Sequence, residues 1–144
     1  MKPKLLYLSL LLLAFAGSCL KTKHAPAASS LQGSFTGQFM FLHTPNNSTT
    51  VDTLKANIQL DMLANSSYQV TGDTSTLHAG SHGAFLIGTN NAIQFFDQTY
   101  PVSGTPTKIH LSGQYQYSYD GIVLRLNGFG PLDTVAYEYV LRKN

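Results

Sequence analysis

The side chains of this chain that could do chemistry are mostly phenols. Tyr115, Tyr117 and Tyr119 alternate within one short run, Tyr137 and Tyr139 within another, and Tyr68 stands beside Val70 in a third. In extended backbone such spacing puts each set on one face, and Phe39 falls on the corresponding face of an earlier run. The sum is an inward set rich in aromatic rings and hydroxyls. A buried phenol without a partner costs about 1–3 kcal/mol. The cluster therefore either orients a small apolar or amphipathic ligand or fills a narrow core with its hydroxyls at the rims. Gly37 and Gly113 on the same faces leave space and favour the ligand.

Other constellations carry less. His78-Ala-Gly-Ser-His82 sets two imidazoles four residues apart, a metal-ligand spacing on a helix. Gly80 and Gly83 oppose a helix there, and no third ligand is in view. The pair reads as solvated loop histidines, and no metal or other cofactor is expected. Ala79-Gly-Ser-His-Gly83 echoes a nucleophile turn that needs the strand–turn–helix context of an α/β sheet, which this chain does not offer. The carboxylates do not pair in sequence. Asp120 belongs to a turn, Asp73 and Asp133 fall in turn-like segments, Asp61 faces outward, and Asp97 follows Phe95-Phe96 at a rim. No enzymatic activity is expected.

The elements that must position these residues read as strands. Phe35, Gly37, Phe39 and Phe41 alternate with polar neighbours, as do Leu54, Ala56, Ile58, Leu60 and Met62. A helix over the second run would carry Asp61 on its apolar face, so the strand is preferred. Turn clusters at Ala64-Asn65-Ser66, Gly88-Thr-Asn-Asn91 and Asp120-Gly121 separate the runs. Asp-Gly is a strong two-residue hairpin signal. With Asp120-Gly121 at the tip, Tyr119 faces Ile122, Tyr117 faces Leu124 and Tyr115 faces Leu126. Val135, Tyr137, Tyr139 and Leu141 close the series. About eight strands and no convincing helix predict an all-β fold, an antiparallel up-and-down meander closing into a small barrel. A half-open barrel or a sandwich is the runner-up. Leu86, Phe96, Val123 and Val140 fall on the outward parity, where together they would form an interaction patch.

The N-terminus is of another kind. Met1-Lys-Pro-Lys4 is positive, and Leu5 to Ala16 is an apolar run too short to span a bilayer. Ala16-Gly17-Ser18 then leads into the only cysteine, Cys19. This resembles the lipobox of bacterial lipoproteins, with Ala16 where Leu is usual. The resemblance implies a signal peptide over residues 1–18, a lipid on Cys19, and a place in a bacterial cell envelope. Leu20, rather than Asp, points to the outer membrane. Residues 19–31, with small residues and Pro, read as the lipidated cysteine and a tether, leaving 32–144 as one domain. There, five basic residues stand against seven acidic ones, a net −2, which excludes a basic nucleic-acid surface.

Residues 32–144 also resemble the small lipid-anchored, lipocalin-like domains of bacterial envelopes. The resemblance rests on Gly33-Ser-Phe-Thr-Gly37, Tyr115-x-Tyr-x-x-Asp-Gly121 and Tyr137-x-Tyr-x-Leu-x-Lys143. Phe35 replaces the tryptophan of the lipocalin opening, and no C-terminal helix follows. Two functions are then expected: a lipid-anchored barrel that binds a small apolar or amphipathic ligand, or an accessory lipoprotein with a filled core that meets other envelope proteins.

Overall fold

A computed structural model describes residues 31–45, 49–130 and 134–144. The expectations placed on the leader, on Cys19 and on the tether up to residue 30 concern residues outside that set. Eight strands follow in order: β1 (Gly33–His43), β2 (Asp52–Met62), β3 (Ser67–Gly72), β4 (His82–Ile87), β5 (Ala92–Asp97), β6 (Gly113–Tyr119), β7 (Val123–Phe129) and β8 (Val135–Lys143). Each pairs antiparallel with the next, and β1 pairs with β8 from Phe35↔Lys143 to His43↔Val135. The fold is a closed up-and-down barrel of the lipocalin-like kind, not a sandwich or a half-open sheet. Closure pairs every strand with a neighbour on both sides, although β3 covers only the Ile58–Met62 part of β2.

Period-2 alternation fills the interior. Phe35, Phe39, Leu60, Ile93, Leu124, Leu126, Tyr139 and Leu141 are fully buried, with Ala56, Ile58, Met62, Tyr68, Val70 and Tyr115 nearly so. Leu54, expected inside, is exposed. β3 pairs with β2 only from Ile58 to Met62, so Leu54 stands on a stretch of β2 that β3 does not cover. On the outer face Leu86 and Phe96 are exposed on β4 and β5, while Val123 and Val140 are half-buried on β7 and β8. β6 separates the two pairs on one side, so they do not form a single patch.

The tip of the β6–β7 hairpin departs from the sequence expectation. Tyr119 pairs with Leu124 and Tyr117 with Leu126, two residues away from the register that Asp120-Gly121 predicts. Gly121 and Ile122 form the loop instead, with Gly121 at φ 98°, the first central position that a type II′ turn reserves for glycine. The Asp120 carboxylate accepts from the amides of Ile122 (2.8 Å) and Val123 (2.7 Å). These bonds hold it below the usual carboxylate range. Because the shift is two residues, the side chains that remain paired keep their faces, and only Ile122 leaves the ladder for the loop.

The meander gives the barrel two distinct ends. β1 starts where the short β2–β3, β4–β5 and β6–β7 turns lie, and buried Leu31 packs into that end. The opposite end carries the longer β3–β4 and β5–β6 connections, residues 73–81 and 98–112. These two loops pair with each other. The Ala79 amide donates to the Ile109 carbonyl (2.8 Å), and the Ile109 amide donates to the Leu77 carbonyl (3.0 Å). Together they lay His78, Ser81 and Leu111, all fully buried, across the barrel as a plug.

Candidate functional site

The residues proposed from sequence as a ligand-contacting set divide into three groups. Phe39, Tyr68, Tyr115 and Tyr139 meet inside the barrel. The Phe39 and Tyr139 rings lie 4.8 Å apart, Tyr115 stands edge-on to Tyr139 at 5.7 Å, and Phe95 bridges Tyr115 (5.8 Å) and Tyr68 (4.9 Å). Tyr137 lies near the plugged end, beside Phe41. Tyr117 and Tyr119 lie toward the N-terminal end, where Tyr119 stacks edge-on against Phe35 and donates to the Gly121 carbonyl. The fold therefore does not gather all seven around one space.

The interior hydroxyls are committed to the protein itself. Tyr68 donates to the Leu111 carbonyl at 2.6 Å, and Tyr139 meets His78 Nε2 at 2.9 Å. Among the described residues no buried side-chain nitrogen or oxygen lacks a partner. Burial raises the Tyr139 and Tyr68 phenols well above their ordinary range and the Tyr115 phenol to about 12. Gly37 leaves no room either: a methyl there would lie 2.1 Å from the Val140 carbonyl oxygen. At this glycine β1 is pressed against β8. Gly113, by contrast, opens onto free space.

His78 corrects the reading of the loop histidines. It is fully buried rather than solvated, while His82 is exposed at the start of β4. His78 Nδ1 lies 2.6 Å from the Ala79 carbonyl. A carbonyl only accepts, so Nδ1 carries the proton and Nε2 accepts from the Tyr139 hydroxyl. Burial lowers the imidazole to about 4 despite the Ala79 bond, which keeps it neutral. It is a structural cross-link, and among the described residues no group of three His, Cys, Asp or Glu side chains is placed to hold a metal.

Open space lies at the rim instead. Beside the β5–β6 connection a groove of about 390 Å³ runs past Tyr100, Pro106, Lys108, Ile109, His110, Ser112 and Gly113 to Tyr115 and Tyr137. His110 in its wall is backed by a buried carboxylate: His110 Nδ1 donates to Asp97 Oδ2 at 2.7 Å, with the Asp97 side chain fully buried and that of His110 10 % exposed. Asp97 Oδ1 accepts from the Thr99 amide (2.7 Å) and hydroxyl (2.6 Å). Burial alone would raise the Asp97 carboxyl, but the Thr99 and His110 bonds together hold it below its ordinary value. His110 is thus fixed in one orientation, and its Nε2 pairs with no group among the described residues. The Tyr100 ring crosses the imidazole at 5.2 Å. Lys108 donates from Nζ to the Thr74 carbonyl (2.8 Å), which leaves its other N–H bonds free. The Tyr137 phenol is raised by desolvation and, secondarily, by Tyr100.

Sequence reasoning placed Asp97 at a rim but did not connect it to His110. The missing datum was the β5–β6 register. Phe95 pairs with Gly113, and continuing that register past the strand ends sets Asp97 level with Leu111, one residue from His110. Of the tyrosines singled out, Tyr115 and Tyr137 border the groove. No protein-family model matches the chain, and neither does any curated protein or solved structure.

Proposed function

We propose that this chain is a lipid-anchored binding module of a bacterial cell envelope. In this reading Cys19 carries the lipid, the filled barrel is a rigid support, and the groove at the plugged end takes a small amphipathic ligand. The observation that carries the reading is the Asp97–His110 pair, which holds an imidazole in one orientation at the wall of a groove of ligand size. The barrel interior is not the binding site in this reading, because its hydroxyls and volume are already used. The topology is compatible with that arrangement, since β1 starts at the end of the barrel opposite the groove.

Native mass spectrometry of the protein extracted from its own envelope tests the ligand. A stoichiometric adduct of small mass, released on denaturation and lost in Tyr100→Ala, is the expected result. A bare polypeptide mass in both would instead support the accessory role, which the filled interior favours. Cys19→Ser removes the anchor, and acyl label that persists on that variant would overturn the lipoprotein assignment.

A further inference from the structure

Among the described residues no carboxylate lines the groove, and the one behind His110, Asp97, is spent. Asp97 receives three hydrogen bonds, two from Thr99 and one from His110, and its side chain has no exposed surface. What faces the open space is of the opposite character. Lys108 brings an ammonium with one of its three N–H bonds used, by Thr74. His110 brings Nε2, an acceptor, because Asp97 holds the ring proton on Nδ1. Ser112, Tyr100 and Tyr137 bring hydroxyls. Pro106, Ile109 and the Tyr100 ring make the apolar part of the wall, with Tyr100 47 % exposed and available for stacking.

We propose that the groove selects small organic anions: a planar or short apolar body against Tyr100 and Pro106, with a carboxylate directed to Lys108 and a ligand hydroxyl donating to His110 Nε2. This rests on the reading of the groove as a ligand site and adds the sign of the ligand's charge. An anionic head supplies the acceptors that the Lys108 ammonium lacks, and charge-assisted bonds of this kind are about twice as strong as neutral ones. A cationic ligand would meet Lys108 with no free carboxylate to offset it. Hydrogen bonding by His110 Nε2 depends on Asp97, which acts as a positioning residue.

The test uses the full chain in lipid nanodiscs and two fluorinated probes, the anion 3-fluoro-4-(hydroxymethyl)benzoate and its uncharged amide, 3-fluoro-4-(hydroxymethyl)benzamide. ¹⁹F line broadening is read against empty nanodiscs. The expected result is binding of the benzoate about tenfold tighter than the benzamide, with the difference abolished in Lys108→Met and both signals lost in Tyr100→Ala. Equal binding of the two probes, both lost in Tyr100→Ala, would overturn the anion assignment and leave the groove as a ligand site. Broadening that survives Tyr100→Ala places the probe elsewhere and counts against both. No broadening by either probe overturns the assignment of small organic anions.

Discussion

His78 and Tyr139, 61 residues apart in the chain, are joined Nε2 to hydroxyl at 2.9 Å in the sealed centre of the barrel. One comes from a loop and the other from the last strand. The bond ties the plug to the wall, and it is the one hydrogen bond of His78 Nε2 among the described residues, whereas the Tyr139 hydroxyl also meets Tyr115. Removing the Tyr139 hydroxyl is therefore costly, because Nε2 is left buried and unpaired.

Acid should therefore loosen the fold in a defined window. The folded-state value of His78 lies near 4, below the ordinary 6.5, so the unfolded chain takes up a proton that the folded one refuses. The stability from a neutral His78 is complete above pH 6.5 and is lost as pH falls toward 4. The gap corresponds to about 3 kcal/mol. Urea midpoints between pH 7 and 4 should fall in the wild type and fall much less in the His78→Phe/Tyr139→Phe double variant. Parallel curves would show that His78 is not the group responsible. Asp97 acts in a lower window, since its carboxyl is depressed and its contribution goes only as it protonates below its ordinary value of 3.8.

The two inward glycines should separate crowding from strain. Gly37→Ala forces a methyl against the Val140 carbonyl at 2.1 Å and should destabilise by about 3 kcal/mol as β1 and β8 move apart. Gly113→Ala meets nothing within 4 Å but sits at φ 92°, so only backbone strain applies, about 1–2 kcal/mol. Thermal melts decide the order, and an equal loss from the two would remove the distinction.

At the β6–β7 tip, the observed register makes Ile122 a half-exposed loop residue. Ile122→Ala should change stability by less than about 0.5 kcal/mol, whereas Gly121→Ala should cost about 1–2 kcal/mol for its φ of 98°. With Asp120-Gly121 as the loop, Ile122 would instead face inward opposite Tyr119, and the ranking would reverse.

The orientation of His110 is checked directly by ¹⁵N chemical shifts of its ring. The Asp97 carboxylate imposes Nδ1–H on the neutral imidazole. Asp97→Asn replaces an obligate acceptor with an amide that also donates, and the tautomer preference should weaken or invert. An unchanged ring spectrum in that variant would mean that Asp97 does not govern His110.

Much of the fold was legible because alternation in strands is a local property. Phe35 and Phe39, Ile58 and Leu60, and Tyr139 and Leu141 declare their faces in sequence, and the barrel keeps them there. Register is not local in the same way. A slip of two residues at Asp120 leaves the faces of the paired residues unchanged, so hydrophobic pattern cannot detect it; the side-chain bonds from Asp120 to two amides decide it. The plug was invisible for a related reason. Nothing near His78 in sequence reveals that Ile109 will pair with its loop and carry it inside. The groove inherits that difficulty, since Asp97 and His110 become neighbours only once β5 and β6 are aligned.

The pairing of β1 with β8 makes the first and last strands of the domain a single seam. Thr36 reaches Asn144 across 108 residues, and long-range pairing of this kind is slow to form. A ribosome that still holds β8 therefore keeps the wall open. Until β8 is free to pair, β1 has only β2 beside it.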